Sequence, residues 1–286
     1  MKSGIIAVVC AAMVGGLVPA VHADQAAKVT VAVNDVTHGK TSSGGSSAAG
    51  VGTLIHDGDY LETHAKSRAE LQLPTTGATI TRLGASTIFN YSASSNTVDL
   101  QQGDILFCKP SNAQKLNIMT AAVTAGITGT TGFVSVQNTG KKTTYVLGLI
   151  EGHAIAHADG HPFPLGPGDV IQFTPGQKPF SYSFDIPRLV KSSPLITKFN
   201  STLPNQSAID KALAEYADDV SRGFITAPSN SITYSGGIPV LSGPAFSSAQ
   251  NAQAQGKGGT APPPPPPPSN PYRTGGSPFN STSPGH

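Results

Sequence analysis

Three clusters in this chain carry residue types that do chemistry. The stretch AGITGTTGFVSV, Ala125 to Val136, spaces glycines three apart at Gly126, Gly129 and Gly132, with threonines between them. Glycine-rich loops cradle phosphates when backbone N–H groups converge and a lysine meets the charge. No lysine lies between Ala121 and Gly140. The pattern is neither G-x-x-x-x-G-K-[ST] nor G-x-G-x-x-G, and Phe133, Val134 and Val136 continue as strand where a helix would be needed. The glycines read as a sheet corner, where bare backbone turns or approaches another strand.

The second cluster is IEGHAIAHADGH, with Glu151, His153, His157 and His161. On a strand His153 and His157 share a face and offer imidazoles to a metal. The motif is not H-E-x-x-H, and helical spacing is not expected here, so surface histidines are the plainer reading. The third is Asp57 and Asp59 in HDGDYLE, a pair of carboxylates that reads as turn chemistry before it reads as an acid/base pair. Cys108, in ILFCKP, ends an apolar strand and reads as a packed thiol. No G-x-S-x-G nucleophile elbow occurs. These residues assign no catalytic, cofactor-binding or metal site.

The chain of 286 residues has a net charge of +2, with 12% charged residues. Its lysines and arginines are scattered, so the basic footprint that nucleic acid demands is missing. At the N-terminus, Lys2, the apolar run Ile5 to Val18 and the small residues around Val21-His22-Ala23 read as a secretory signal peptide over residues 1–23, cleaved before Asp24. An uncleaved membrane anchor is the alternative. Cleavage takes Lys2 and Cys10, leaving 17 basic against 16 acidic residues and Cys108 as the one cysteine. One cysteine makes no internal disulfide, so packing must supply stability.

Those residues must be held by strands. KVTVAVNDV alternates Val29, Val31 and Val33 at a strand period. HGKTSSGGSSAAG reads as a low-complexity loop. From Val51 to about Thr174, short apolar runs recur every ten residues or so between glycine turns: ELQL, STIFNY, TVDL, DILF, KLNIMT, GFVSVQ, TTYVLGLI, HAIAHA and DVIQF. This is an all-β pattern, a compact sandwich or roll of many short strands over residues 28–180. Leu71 and Leu73 share a face, PTTGAT reverses the chain, and the odd spacing of Ile80 and Leu83 implies a bulge or corner between them.

A helical appendage is expected over residues 193–223. Ser193-Pro194 opens a short helix. SAIDKALAEYADDVSRG is a clear one, with Ser207 as N-cap, a capping box to Asp210, and Ile209, Leu213, Tyr216 and Val220 at helical spacing. Its stripe is expected to pack on the β-domain, with a separate partner as the alternative. Residues 226–286 read as a disordered Gly/Pro/Ser-rich tail. Pro262 to Pro268 would form a polyproline II rod of about 22 Å, a spacer in the blander reading and a ligand for an aromatic groove in the other.

The order of these segments resembles the FecR domain. DGDYLETHAKSRAELQLP, ITRLGAST, VDLQQGDILF, AAVTAGITGTTGFVSV, LIEGHA and LGPGD carry the resemblance between about Val51 and Phe173. Its marks are Gly58-Asp59, Ser67 to Leu71, Arg82 to Gly84, Gly103 with Phe107, Gly129-Thr130 and Glu151-Gly152. The resemblance implies an extracytoplasmic, non-enzymatic β module. Well-known members place it after a membrane helix and a cytoplasmic anti-sigma segment, in a relay for iron uptake. Here a signal peptide is read in that place, so the relay is the alternative. The leading expectation is an exported binding or scaffold module, periplasmic or extracellular, without cofactor. Its partner would be another envelope protein or a cell-wall component, with no nucleic acid, and a membrane only if the N-terminus is uncleaved. A second alternative is an enzyme or a histidine-bound metal protein.

Overall fold

In this computed structural model the described residues are 26–40, 45–75, 78–224 and 232–241. They lie within the first of the chain's two units, Met1–Ser242. The expected signal peptide, residues 242–286 and the polyproline run lie outside them.

In chain order the strands are β1 (Ala27–Val33), β2 (Val36–Lys40), β3 (Ser46–Ala48), β4 (Leu54–Ile55), β5 (Asp59–Thr63), β6 (Arg68–Gln72), β7 (Ile80–Leu83), β8 (Thr87–Ser92), β9 (Thr97–Lys109), β10 (Leu116–Met119), β11 (Val123–Ile127), β12 (Thr130–Asn138), β13 (Thr143–Glu151), β14 (Ala154–Ala158), β15 (His161–Leu165), β16 (Asp169–Phe173) and β17 (Phe180–Ser183). Then come α1 (Ile186–Ser192), α2 (Pro194–Thr197), α3 (Gln206–Ser221), β18 (Ile232–Ser235) and β19 (Ile238–Leu241). The all-β expectation holds: 51% of the described residues are strand.

Two sheets share β9. The first runs β4-β1-β6-β7-β9-β12-β13-β16-β17. The second runs β3-β2-β5-β8-β9-β10-β11-β14-β15, antiparallel except for β9 with β10. TVDL and DILF are thus one strand. It changes sheet at Gly103, whose φ of +88° a side chain adopts only under strain.

The inner faces of both sheets close one core, with Val29, Leu71, Leu73, Phe89, Phe107, Ile118, Val134, Leu147 and Ala156 among its members. A second core lies on the outer face of the first sheet. There Leu106, Cys108, Phe133, Val146, Ile150 and Val170 meet Ile186, Leu189, Leu195, Ile209, Tyr216, Ile238 and Val240. Helices and hairpin thus cover that face, and the central strands β7, β12, β13 and β16 of the first sheet are buried on both sides.

Four expectations need correction. In β1 the register shifts between Val29 and Val31. The bulge at Thr30 moves Val31 and Val33 off the core face, and Ala32 packs there instead. No bulge separates Ile80 from Leu83, whose pairing with β9 is continuous. The odd spacing arises because Arg82, beside Ile80's row, is buried on the outer face while Leu83 is buried on the inner one. The low-complexity stretch supplies the edge hairpin β2–β3, because backbone pairing with β5 does not need apolar side chains. The tail boundary at 226 falls too early, since residues 232–241 form a hairpin that buries Ile232, Ile238, Val240 and Leu241.

The Ser193-Pro194 helix is present as α2. The sequence reading missed α1, capped by Asp185 Oδ1, which accepts the Arg188 N–H at 2.8 Å. The long helix starts two residues early, with Asn205 in place of Ser207 at its N-cap and no capping bond from its side chain. Asp210 does not complete a box with Ser207; it accepts from Gln206 Nε2 at 2.9 Å. Ile209 and Tyr216 are buried as expected and Leu213 packs beside them, while Val220 is exposed.

Candidate functional site

The strongest concentration of buried polar groups lies in the seam between the first sheet and its cover. Strand register makes it. Glu70 on β6 stands opposite Arg82 on β7, which stands opposite Leu106 on β9 and then Phe133 on β12. Two charges 12 residues apart thus become direct cross-strand neighbours.

Arg82 Nε donates to Glu70 Oε2 at 2.8 Å, with side-chain exposures of 1% and 4%. Its remaining donors leave the sheet. Nη1 reaches Leu195 O at 3.2 Å, and Nη2 reaches Ser201 O at 2.5 Å and Ser201 Oγ at 2.9 Å. Ser201 Oγ donates back to Glu70 Oε2 at 2.6 Å, and Thr30 Oγ1 donates to Glu70 Oε1 at 2.9 Å. The guanidinium lies 4.7 Å from the centroid of the Phe199 ring. Burial pushes the Glu70 carboxyl up, but bonds from Ser201, Arg82 and Thr30 outweigh it and hold it below the usual carboxylate value. A buried pair of this kind stays ionised only because its donors and acceptors are filled.

A second anchor stands on β13. Glu151 Oε1 accepts from Thr131 Oγ1 at 2.7 Å and from Asn205 Nδ2 at 2.7 Å. Asn205, just before α3, also donates to Lys109 O at 3.0 Å. Cys108 lies in this seam, its Sγ 3.3 Å from Thr131 Oγ1. Burial raises its thiol pKa, which keeps it protonated and unreactive. A third anchor holds the hairpin: Gln172 Nε2 donates to Leu241 O at 3.1 Å, and Tyr182 Oη donates to Pro239 O at 3.1 Å.

The glycine stretch turns as a corner. Gly126 lies in β11 of the second sheet, and β12 belongs to the first. Gly129 between them has φ +67°, and a Cβ there would meet Ser111 Cβ at 2.9 Å. Gly132 leaves room for Phe107 and the Gly148 carbonyl.

The histidine cluster does not converge. Glu151 is buried in the seam, whereas His153, His157 and His161 are exposed. Among the described residues no three His, Cys, Asp or Glu side chains come together as metal ligands. Asp57 and Asp59 part as well. Bonds from Ser92 and Ser94 hold the exposed Asp57 below the usual range. Asp59 Oδ2 accepts the His56 N–H at 3.1 Å, as turn chemistry requires.

The seam was half visible in the sequence. Glu70, Arg82 and Glu151 stood out as marks of a resemblance, but Phe199, Ser201 and Asn205 did not. Only the reading of α3 as a packed helix pointed to a partner surface at that end.

The family described as FecR protein matches residues 59–154, so the chain carries a FecR domain there. No curated protein matches the chain. Two crystal structures of a candidate anti-sigma factor from Parabacteroides distasonis, at 1.65 and 2.50 Å, are similar at 13% identity and a TM-score of 0.40. Each similarity covers 46% of this chain and 62% of theirs, so the chain spans less than two thirds of their length. Glu70, Arg82 and Glu151 fall inside the matched FecR segment, and their partners Leu195, Ser201 and Asn205 fall beyond it.

Proposed function

We propose that this protein is a non-enzymatic, exported FecR-domain module that binds or scaffolds another component of the bacterial cell envelope. The observation that carries this is the fate of the polar FecR marks. Glu70, Arg82 and Glu151 are spent on fastening residues 195–205 to the first sheet, so they serve assembly and are not aimed at a substrate. The partner would be an envelope protein or a cell-wall component, met on surface that the fold leaves open.

The test is photocrosslinking in the native envelope, with the crosslinking amino acid placed at Ile155 on the second sheet and at Val220 on α3. A discrete adduct from one position, identified by mass spectrometry, is the expected result. Intact mass of the exported protein separates this reading from a membrane-anchored relay, because a mass that retains Met1 to Ala23 favours the relay. Turnover of a small substrate by the purified protein would overturn the non-enzymatic reading. Among the described residues no helix is long and apolar enough to cross a membrane.

A further inference from the structure

Asp104 differs from two residues in the same local sequence. Gly58-Asp59, Gly103-Asp104 and Gly168-Asp169 each put an aspartate after a glycine with φ between +79° and +88°. Asp59 and Asp169 spend one oxygen on the N–H three residues back, His56 at 3.1 Å and Gly166 at 2.8 Å. Asp104 has no turn behind it, because β9 runs on through Gln101. One of its oxygens accepts from Ser135 Oγ. The other faces the β18–β19 turn, where a Cβ on Gly236 would lie 2.6 Å from it. Asp104 lines an open cleft of about 460 Å³ with Ser86, Gln102, Asn138 and Thr139. Among the described residues no lysine or arginine pairs with it, in contrast to Glu70 with Arg82.

We propose that this cleft binds a primary ammonium group, with Asp104 as its counter-ion and the neutral oxygens of Ser86, Gln102, Asn138 and Thr139 as further acceptors. An ammonium carries three donors and no acceptor, which suits one carboxylate among amides and hydroxyls. A metal fits less well, since hard cations want roughly six or more oxygens and no cluster of ionisable ligands forms here. The hairpin turn is one wall, so an occupant would tie the hairpin to the sandwich.

Burial, partly offset by the Ser135 bond, pushes the Asp104 carboxyl up to about 6, with no charged side chain contributing. The carboxylate oxygens meet Ser135 on β12 and Gly236 in the hairpin turn, while Thr87 on β8 and Gly84 just after β7 lie against the backbone of Asp104, and none of these titrates. Occupancy must therefore rise as the pH climbs through that value.

The full-length protein is titrated with putrescine by calorimetry at about pH 5 and about pH 7.5, beside Asp104→Asn. Saturable binding at the higher pH, weaker by about tenfold at the lower pH and by at least that in the variant, is expected. A carboxyl-carbon NMR titration of the wild type must show putrescine lowering the Asp104 midpoint, and this decides the matter if the variant misfolds. Nα-acetyl-lysine amide is the second probe: equal or tighter binding assigns the site to a lysine side chain of a partner, and weaker binding to a free amine. No binding at the higher pH, unchanged binding by a folded variant, or an unmoved midpoint overturns the proposal.

Discussion

The two sheets share a strand and a core, yet they are written differently in the sequence. The first is covered on both faces along its central strands, so GFVSV and TYVLGLI are nearly unbroken apolar runs, and every residue of β13 from Tyr145 to Glu151 is buried. The second is covered on one face only. Its β14, Ala154–Ala158, alternates buried and exposed at every position, and Ile155 is 54% exposed. A charged residue on the covered part of the first sheet must therefore find a buried partner, as Arg82 and Glu151 do in the cover, whereas one on the open face of the second is left to water. That difference explains why Glu70, Arg82 and Glu151 are buried while His157 on β14 is exposed.

The largest effect should come from breaking the Arg82 anchor. Arg82→Ala leaves Glu70 buried without its cation and should cost about 3–5 kcal/mol, read by chemical denaturation. Next comes the hairpin. Truncation after Ser242 should be nearly neutral, whereas truncation after Ile225 removes four buried apolar residues and should cost about 3 kcal/mol or more. Equal melting temperatures for the two truncations would return the boundary to 226.

That boundary shows where the sequence stops being legible. Period-two runs and glycine turns declared the all-β sandwich, and the missing lysine declared the corner at Gly129. Both signals are local. The hairpin at 232–241 is four residues a side and has no strong pattern of its own; its burial comes from Gln172 and Tyr182, far away in the chain. Likewise a period count along β1 could not see the bulge at Thr30, because the register is set by β6. Asn205 carried no mark at all, since its task depends on Glu151 arriving beside it.

A corner substitution ranks third. Gly129→Val forces a β-branched residue to φ +67° against Ser111 and should cost about 1–3 kcal/mol in a thermal melt. The pH response should split by anchor. The Glu70 carboxyl is held below its ordinary value, so its contribution is present above about pH 4.5 and is lost as the pH falls through the folded value. Asp104 has the opposite sign: its pKa is raised, so stability falls as pH rises from 3.8 through about 6. Asp104→Asn should flatten that second slope in denaturation curves taken across the range. The smallest effect belongs to the open face of the second sheet. His157→Ala and Ile155→Thr should each stay within about 0.5 kcal/mol of the parent.

Hydrogen exchange of the full-length protein, compared with Arg82→Ala, tests most directly whether the first sheet is a docking face fastened by Arg82. The account predicts faster exchange in α2, α3 and the β18–β19 hairpin, with amides of β5, β8 and β14 in the second sheet unchanged. A uniform acceleration across both sheets, or unaltered protection in the cover, would contradict it.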